Sequence, residues 1–296
     1  MAQMVLQSLA QSASSLPSLS QRTLQATARL LGVVNGQLEQ QQHFRALHST
    51  AQPSQLQQVG AAAMPRSWLS LSKPAYKAVL VDAAGTLLVP TERTADVYLR
   101  YASKYGVQLS EYEVLQRFRS AYNTPWGQSQ LRYVGDGRPF WRFIVEQSTG
   151  CCSEQLFEEV YEYYVQREAW ALAPGAVQAL SKLRAAGVQL AVVSNFDTRL
   201  RPILAALGVD SLFDAVVVSA EVGVEKPNPV IFEAALQKLG LRPGEVVHVG
   251  DDRRNDVWGA RDAGVAAWLW GVDVHSFDQV ARRVLLGPAA DDDEDD

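Results

Sequence analysis

Short, continuous apolar runs recur along the chain and close on polar residues. Tyr76–Val81 ends at Asp82, and Val188–Val193 ends at Ser194. Ala215–Val218 is a third run, Val246–Val249 ends at Gly250 and Asp251, and Val265–Leu269 is a fifth. Runs of this length, rich in valine and apolar at successive positions, read as strands buried on both faces. Between them lie stretches with helical spacing: Ala176–Ala186, Leu200–Leu207, Pro229–Leu239 and Asp256–Ala263. Gly187, Gly208, Gly240 and Gly264 stand where helix C-caps belong. The alternation predicts an α/β fold, with a parallel sheet covered by helices on both faces. Ligands of such sheets bind beyond the carboxyl ends of the strands.

One interval breaks the rhythm. After Asp82 the next run of this kind begins only at Val188. The stretch from Thr91 to Ala173 is dense in aromatics, from Tyr98 through Trp126 and Trp141 to Trp170. It reads as helices with an apolar core of their own. We therefore take 91–173 as an inserted helical domain, and 76–90 with 174–272 as the main domain.

Composition excludes several classes. A chain of 296 residues allows roughly two domains. Hydrophobic residues at 47% and charged residues at 20% are ordinary globular usage, which excludes disorder throughout. No apolar run is long enough for a transmembrane helix, so no membrane association is expected. Cys151 and Cys152 are adjacent and form neither a disulfide framework nor a zinc site by themselves. The formal net charge is −5, with no basic footprint for nucleic acid.

The first 66 residues differ from the rest. They hold one acidic residue, Glu39, four arginines and no lysine, amid Ser, Gln and Ala. An acid-poor, arginine-bearing, serine-rich start is the composition of an organelle transit peptide, against the plainer reading of a glutamine-rich disordered tail. Phe44–Thr50 resembles the arginine-led processing region of mitochondrial presequences, so the mitochondrion is the expected address, with the chloroplast as alternative. Residues 287–296, ending in six acids from Asp291, are expected to be a solvated tail.

The chemistry sits in the polar residues at the strand ends. Asp82 is followed by Ala83-Ala84-Gly85-Thr86, and the second strand ends in Ser194-Asn195. Lys226 follows the third strand, and the fourth ends in Gly250-Asp251-Asp252, with Asn255 and Asp256 beyond. Carboxylates, a lysine and a hydroxyl meeting in one crevice would bind a hard dication and an anion together. A small oxygen-seeking ion such as Mg²⁺ suits one or two carboxylates plus a substrate phosphate. Lysine offsets the carboxylate charge, and a carboxylate there can act as a nucleophile.

This arrangement resembles the haloacid dehalogenase-like (HAD) hydrolase superfamily. Asp82-Ala83-Ala84-Gly85-Thr86-Leu87 is similar to its first motif, Ser194-Asn195 to the second, Lys226-Pro227 to the third, and Gly250-Asp251-Asp252-Arg253-Arg254-Asn255-Asp256 to the fourth. The resemblance implies a Rossmann-like core, with the insertion as a helical cap. It further implies a phosphatase acting on a small phosphorylated metabolite. Asp82 would be the nucleophile and form an aspartyl-phosphate. Mg²⁺ would be held by Asp82, the backbone carbonyl of Ala84, and Asp251. Ser194 and Lys226 would hold the phosphoryl oxygens, with Asn195 beside them at the substrate. Thr86 would fix the turn and hydrogen-bond near Asp82. Asp256 would orient Lys226 or the metal's water, with Asp252 nearby.

One position departs from that pattern. The family's phosphatases carry a second aspartate two residues after the nucleophile, as general acid and base, and here Ala84 occupies it. Losing a positioned acid costs about 10²–10⁴-fold. A phosphatase restricted to good leaving groups and a catalytically impaired protein with a binding or scaffolding role both fit. Phosphonatase chemistry needs a cap lysine, and the only one between 91 and 173 is Lys104, which reads as solvated. Dehalogenases use no metal, whereas Asp251 stands where the phosphatases hold Mg²⁺.

Other residues read more plainly. Arg253 and Arg254 are expected to brace their loop through ion pairs. His248 is read as a core histidine, and His275 as lying past the end of the fold. Trp258, Trp268 and Trp270 are read as packing residues. A fluorescent reporter carrying residues 1–66 at its N-terminus should enter mitochondria, and diffuse cytosolic fluorescence would remove the organelle address.

Overall fold

The computed structural model describes residues 73–126 and 131–287. The expected transit segment and residues 288–296 of the expected acidic tail lie outside the described residues. Strand β1 (Ala78–Val81) leads into β2 (Leu88–Pro90), and four helices follow: α1 (Thr94–Ala102), α2 (Glu111–Asn123), α3 (Arg138–Thr149) and α4 (Glu154–Tyr163). The chain returns through β3 (Trp170–Leu172) to α5 (Ala176–Ala185), β4 (Gln189–Ser194), α6 (Leu200–Ala206), β5 (Ala215–Val218), α7 (Ser219–Val222) and α8 (Val230–Leu239). Then come β6 (Val246–Gly250), a π-helical turn (Arg253–Trp258) running into α9 (Gly259–Asp262), β7 (Ala266–Leu269) and α10 (Phe277–Leu286).

Five of these strands form one parallel sheet in the order β5-β4-β1-β6-β7, the α/β architecture read from the sequence. Alternate side chains of β1 leave on opposite faces, as the pleat requires. Val79 and Val81 join the layer of α5 and α10, with Leu180, Leu183, Phe277 and Val284. Ala78 and Leu80 join the layer of α8, with Ile231, Phe232 and Leu236. Because β1 is central, its carboxyl end is flanked by the ends of β4 and β6. The register puts Val81 opposite Val192 and Val249, so Asp82 emerges between two neighbouring strand ends. The four glycines read as helix stops all have positive φ.

The inserted helices form a separate apolar cluster around Tyr98, Phe140, Ile144 and Phe157. Ring pairs tie it together, such as Tyr98 with Phe118 at 5.8 Å and Trp126 with Phe140 at 5.4 Å. The Ser110 hydroxyl caps the start of α2, and Glu113 returns a bond to the Ser110 N–H. The two chain crossings run side by side as an antiparallel ribbon, Leu88 opposite Leu172 and Pro90 opposite Trp170.

Three readings need correction. The main domain does not stop at residue 272. Helix α10 buries Phe277, Val280, Ala281 and Val284 against α5, and the Ala75 N–H bonds to Val284 O at 2.8 Å. Those positions follow helical spacing, and His275, expected past the end of the fold, lies just before this helix and within the fold. The helix read from Asp256 begins earlier, at Arg253, as a π turn. The Asp252 side chain accepts from the N–H groups of Arg254 and Asn255 and sets that start. Trp258 is 54% exposed, whereas Trp268 and Trp270 pack against the core as expected. Among the described residues no helix is long and apolar enough to cross a membrane.

Removing the Phe277 ring should leave a cavity beneath α10. Phe277→Ala should cost about 3–5 kcal/mol in urea unfolding, while Val177→Ala on the exposed side of α5 should stay within about 0.5 kcal/mol.

Candidate active site

The residues gathered at the strand ends form one connected cluster. Asp82 follows β1, and its N–H donates to Val249 O at 2.9 Å, which holds it against β6. Asp82 Oδ1 accepts from Ser194 Oγ at 2.9 Å and from Lys226 Nζ at 2.6 Å. Lys226 Nζ also donates to Asp256 Oδ1 at 2.6 Å and to Val193 O at 3.0 Å. Three bonds use all three ammonium donors. Lys226 is therefore buried and fully partnered.

Main-chain geometry sets these positions. The Asn195 amide spans the Lys226 backbone, with Nδ2 donating to Lys226 O at 3.0 Å and Oδ1 accepting from Lys226 N at 2.6 Å. Asn195, expected at the substrate, also clamps the lysine loop. Gly85 has φ +93°, and a Cβ there would fall 2.4 Å from Asp251 Oδ2. Only glycine lets the first loop turn this way with Asp251 so close.

Charge explains the protonation behaviour. Burial pushes the Asp82 carboxyl up and Asp256 adds to this, against the pull of Lys226. Asp251 is pushed up to about 7, first by the protein packed around its carboxyl and then by the negative charges of Asp82 and Asp256. For Asp256 burial opposes ionisation, but Lys226 and His248 outweigh it and hold the carboxyl well below the usual carboxylate range. For Lys226 burial opposes the charge, yet Asp256 and Asp82 prevail and raise it.

Asp82, Asp251 and Asp256 offer carboxylate oxygens that all lie within 4.8 Å of one another. Three carboxylates crowd one lysine, so the cluster carries surplus negative charge. A hard dication would relieve it, and an all-oxygen donor set suits Mg²⁺. The residues present therefore fit the group that the sequence implies.

Several expectations are met differently. Thr86 is buried, but its hydroxyl has no hydrogen-bond partner among the described residues, so it does not bond near Asp82. Turn closure comes from backbone bonds instead, such as Leu88 N to Ala83 O at 2.8 Å. The Asp252 carboxylate caps the π turn, and only its N–H reaches the cluster, donating to Asp256 Oδ2 at 2.9 Å. The side chains of Arg253 and Arg254 are exposed and make no ion pair among the described residues; capping by Asp252 already braces that loop. Lys104 is exposed and paired with Glu159 at 2.8 Å, as its solvated reading required.

His248 belongs to the cluster, which the sequence reading missed. Its Nε2 lies 2.8 Å from Asp256 Oδ1. An ionised Asp256 only accepts, so Nε2 carries the hydrogen. The signal was present: a histidine inside an apolar, fully buried strand must find a partner.

Above the cluster, between cap and core, lies a cavity of about 190 Å³. Ala84 and Asn195 line it next to the cluster, and cap aromatics form much of its wall.

Comparison with known proteins gives a consistent picture. The family model described as haloacid dehalogenase-like hydrolase matches residues 76–264. The chain is 33% identical over 204 residues to haloacid dehalogenase-like hydrolase domain-containing protein 3 of Danio rerio, across 64% of this chain and 83% of that protein. It is 33% identical over 205 residues to the phosphoserine phosphatase of Thermus thermophilus, across 66% of this chain and 82% of that protein. The crystal structure of a HAD phosphatase from Thermococcus onnurineus matches with a TM-score of 0.52 and 27% identity, covering 71% of this chain and 98% of that chain.

Deleting Asp256 should strand both Lys226 and His248. Asp256→Ala should lower unfolding free energy by about 3–5 kcal/mol in a denaturant titration, and Asp256→Asn, which keeps the shape, should cost less.

Proposed function

The chain belongs to the haloacid dehalogenase-like hydrolase family, and from that membership we propose a Mg²⁺-dependent phosphatase acting on a small phosphorylated metabolite through an aspartyl-phosphate. The observation that carries this reading is the bonding of Asp82: Ser194 and Lys226 both hold Oδ1, which leaves Oδ2 as the attacking atom. The relative named as a phosphoserine phosphatase and the solved HAD phosphatase support the substrate class.

In this mechanism Asp82 Oδ2 forms a bond to phosphorus as the bond to the leaving oxygen breaks. Water then attacks the aspartyl-phosphate, releasing phosphate and restoring Asp82. Lys226 and Ser194 turn to the phosphoryl oxygens once Asp82 is esterified, and Asp256 with His248 keeps the lysine charged and in place. Asp82, the Ala84 carbonyl and Asp251 would hold Mg²⁺, which would supply positive charge against the phosphoryl oxygens. Positioning and electrostatics do most of the work in phosphoryl transfer. At residue 84 a methyl group stands where a carboxylic acid would protonate the departing oxygen. Turnover should therefore depend steeply on the acidity of the leaving group.

Assays over acyl, aryl and alkyl phosphates test this reading. Rates should be measurable for acyl and aryl phosphates and poor for alkyl ones. Asp82→Asn should abolish activity, and Ala84→Asp should raise alkyl rates most, on the order of 10²-fold. Mg²⁺ should raise Tm in the wild type but not in Asp251→Ala. A wild type inactive on every phosphate and not rescued by Ala84→Asp would replace the enzyme reading with a binding role.

A further inference from the structure

The cavity above Asp82 carries information about the substrate's body. Its wall is built from rings, among them Tyr98, Phe118, Tyr122, Tyr133, Trp141 and Phe157. Apart from the Tyr98 hydroxyl, the polar groups on these rings already have partners. Tyr122 and Tyr133 share a hydroxyl–hydroxyl bond at 3.0 Å, and Trp141 Nε1 donates to Asp197 Oδ2 at 2.8 Å. Tyr161, also on the wall, donates to Asp136 O at 2.8 Å.

Arg199 is the charged side chain in the lining. Its charge is already balanced inside the protein. Asp197 accepts from Arg199 Nε at 2.9 Å and from a terminal nitrogen at 2.7 Å. The guanidinium lies over the Tyr161 ring at 4.0 Å. Asp197 is itself fully buried, and a Cβ on Gly137 of the cap would fall 2.9 Å from its Oδ2. Cap and core thus close tightly around a neutralised ion pair, and the cavity offers an apolar, ring-lined space.

Thr94, Asn195 and the Tyr98 hydroxyl are the few polar groups on offer, so a polyol would leave most of its hydroxyls without partners, which costs affinity. A flat aromatic ring meets ring faces and edges instead. Size agrees, since an apolar cavity of about 150 Å³ holds a benzene molecule, and this one measures about 190 Å³. Position agrees as well. Ala84 lies two residues beyond Asp82 and lines the cavity, so a ring in the cavity places its phosphoryl group towards the carboxylate.

Resting on the phosphatase reading above, we infer that the substrate is an aryl phosphate, a phosphomonoester of a small phenolic or enol-like aromatic alcohol whose ring fills the cap–core cavity. The Asp82 oxygen bonds to phosphorus, the phosphorus–aryl oxygen bond breaks, and the aryloxide leaves with the electron pair, taking its proton from water. An aryloxide needs no acid at position 84.

The test compares phenyl phosphate, acetyl phosphate and a sugar phosphate, and measures phenol binding separately by tryptophan fluorescence. Acetate is a better leaving group than phenolate but has no ring. On leaving-group acidity alone acetyl phosphate reacts fastest. With a ring-binding cavity, phenyl phosphate should lead in kcat/KM by about tenfold, mainly through KM. Val145→Phe, which fills the cavity from α3, should raise KM for phenyl phosphate more than for acetyl phosphate and weaken phenol binding; Val160→Ile is the milder variant should that protein not fold. Phenol binding without hydrolysis of any phosphate would defeat the phosphatase reading and leave the aromatic cavity standing. Absence of phenol binding together with no advantage for phenyl phosphate, or fastest turnover of the sugar phosphate, would overturn the inference.

Discussion

An ammonium group held away from water needs carboxylates within hydrogen-bond reach, and Lys226 finds two of them, Asp82 and Asp256, both at 2.6 Å. Leaving either carboxylate or the lysine alone in this interior would cost several kcal/mol per ion. The partners come from different places: Asp82 from the end of β1, Lys226 from the loop after β5, and Asp256 from the π turn after β6. The lysine can be buried only if these segments meet. The strand order satisfies that demand by setting β1 between β4 and β6. Asn195, at the end of β4, then pins the lysine's own backbone.

The same cluster explains why the loops are shaped as they are. A third carboxylate, Asp251, is brought beside two others, and only the bare backbone at Gly85 leaves room for it. The protein packed around the Asp251 carboxyl, and then the like charges of Asp82 and Asp256, push it up to about 7. Such crowding has no value for stability. It is the kind of local strain that binding sites retain because a ligand of opposite charge relieves it.

Much of this was legible in the sequence, and the reasons for the remainder are physical. Strands buried on both faces show as apolar runs, so β1, β4, β5, β6 and β7 could be placed within a residue or two. The polar residues that end them marked Asp82, Ser194, Lys226 and Asp251, because a charge closing an apolar strand needs a partner. What could not be read was how side chains are shared. Asn195 and Asp252 lie beside site residues in sequence, yet Asn195 bonds to a backbone 31 residues away and Asp252 caps its own turn. His248 looked like core because its partner lies in the next element. Helix α10 had a clear apolar stripe, but the reading stopped at Val272.

Ala84 joins the chemistry to the cavity. Residue 84 is exposed, and a carboxylic acid there would face the ring-lined space. It would add an ionisable group to a largely apolar surface. Arg199 is tolerated in the lining only because Asp197 neutralises it and Tyr161 lies under it. One methyl group therefore does two things: it removes a proton donor from the reaction, and it keeps the floor of the cavity apolar. A site of this kind suits an ester whose leaving oxygen carries its own stabilisation, because a ring that delocalises the departing charge is also what the cavity walls accept.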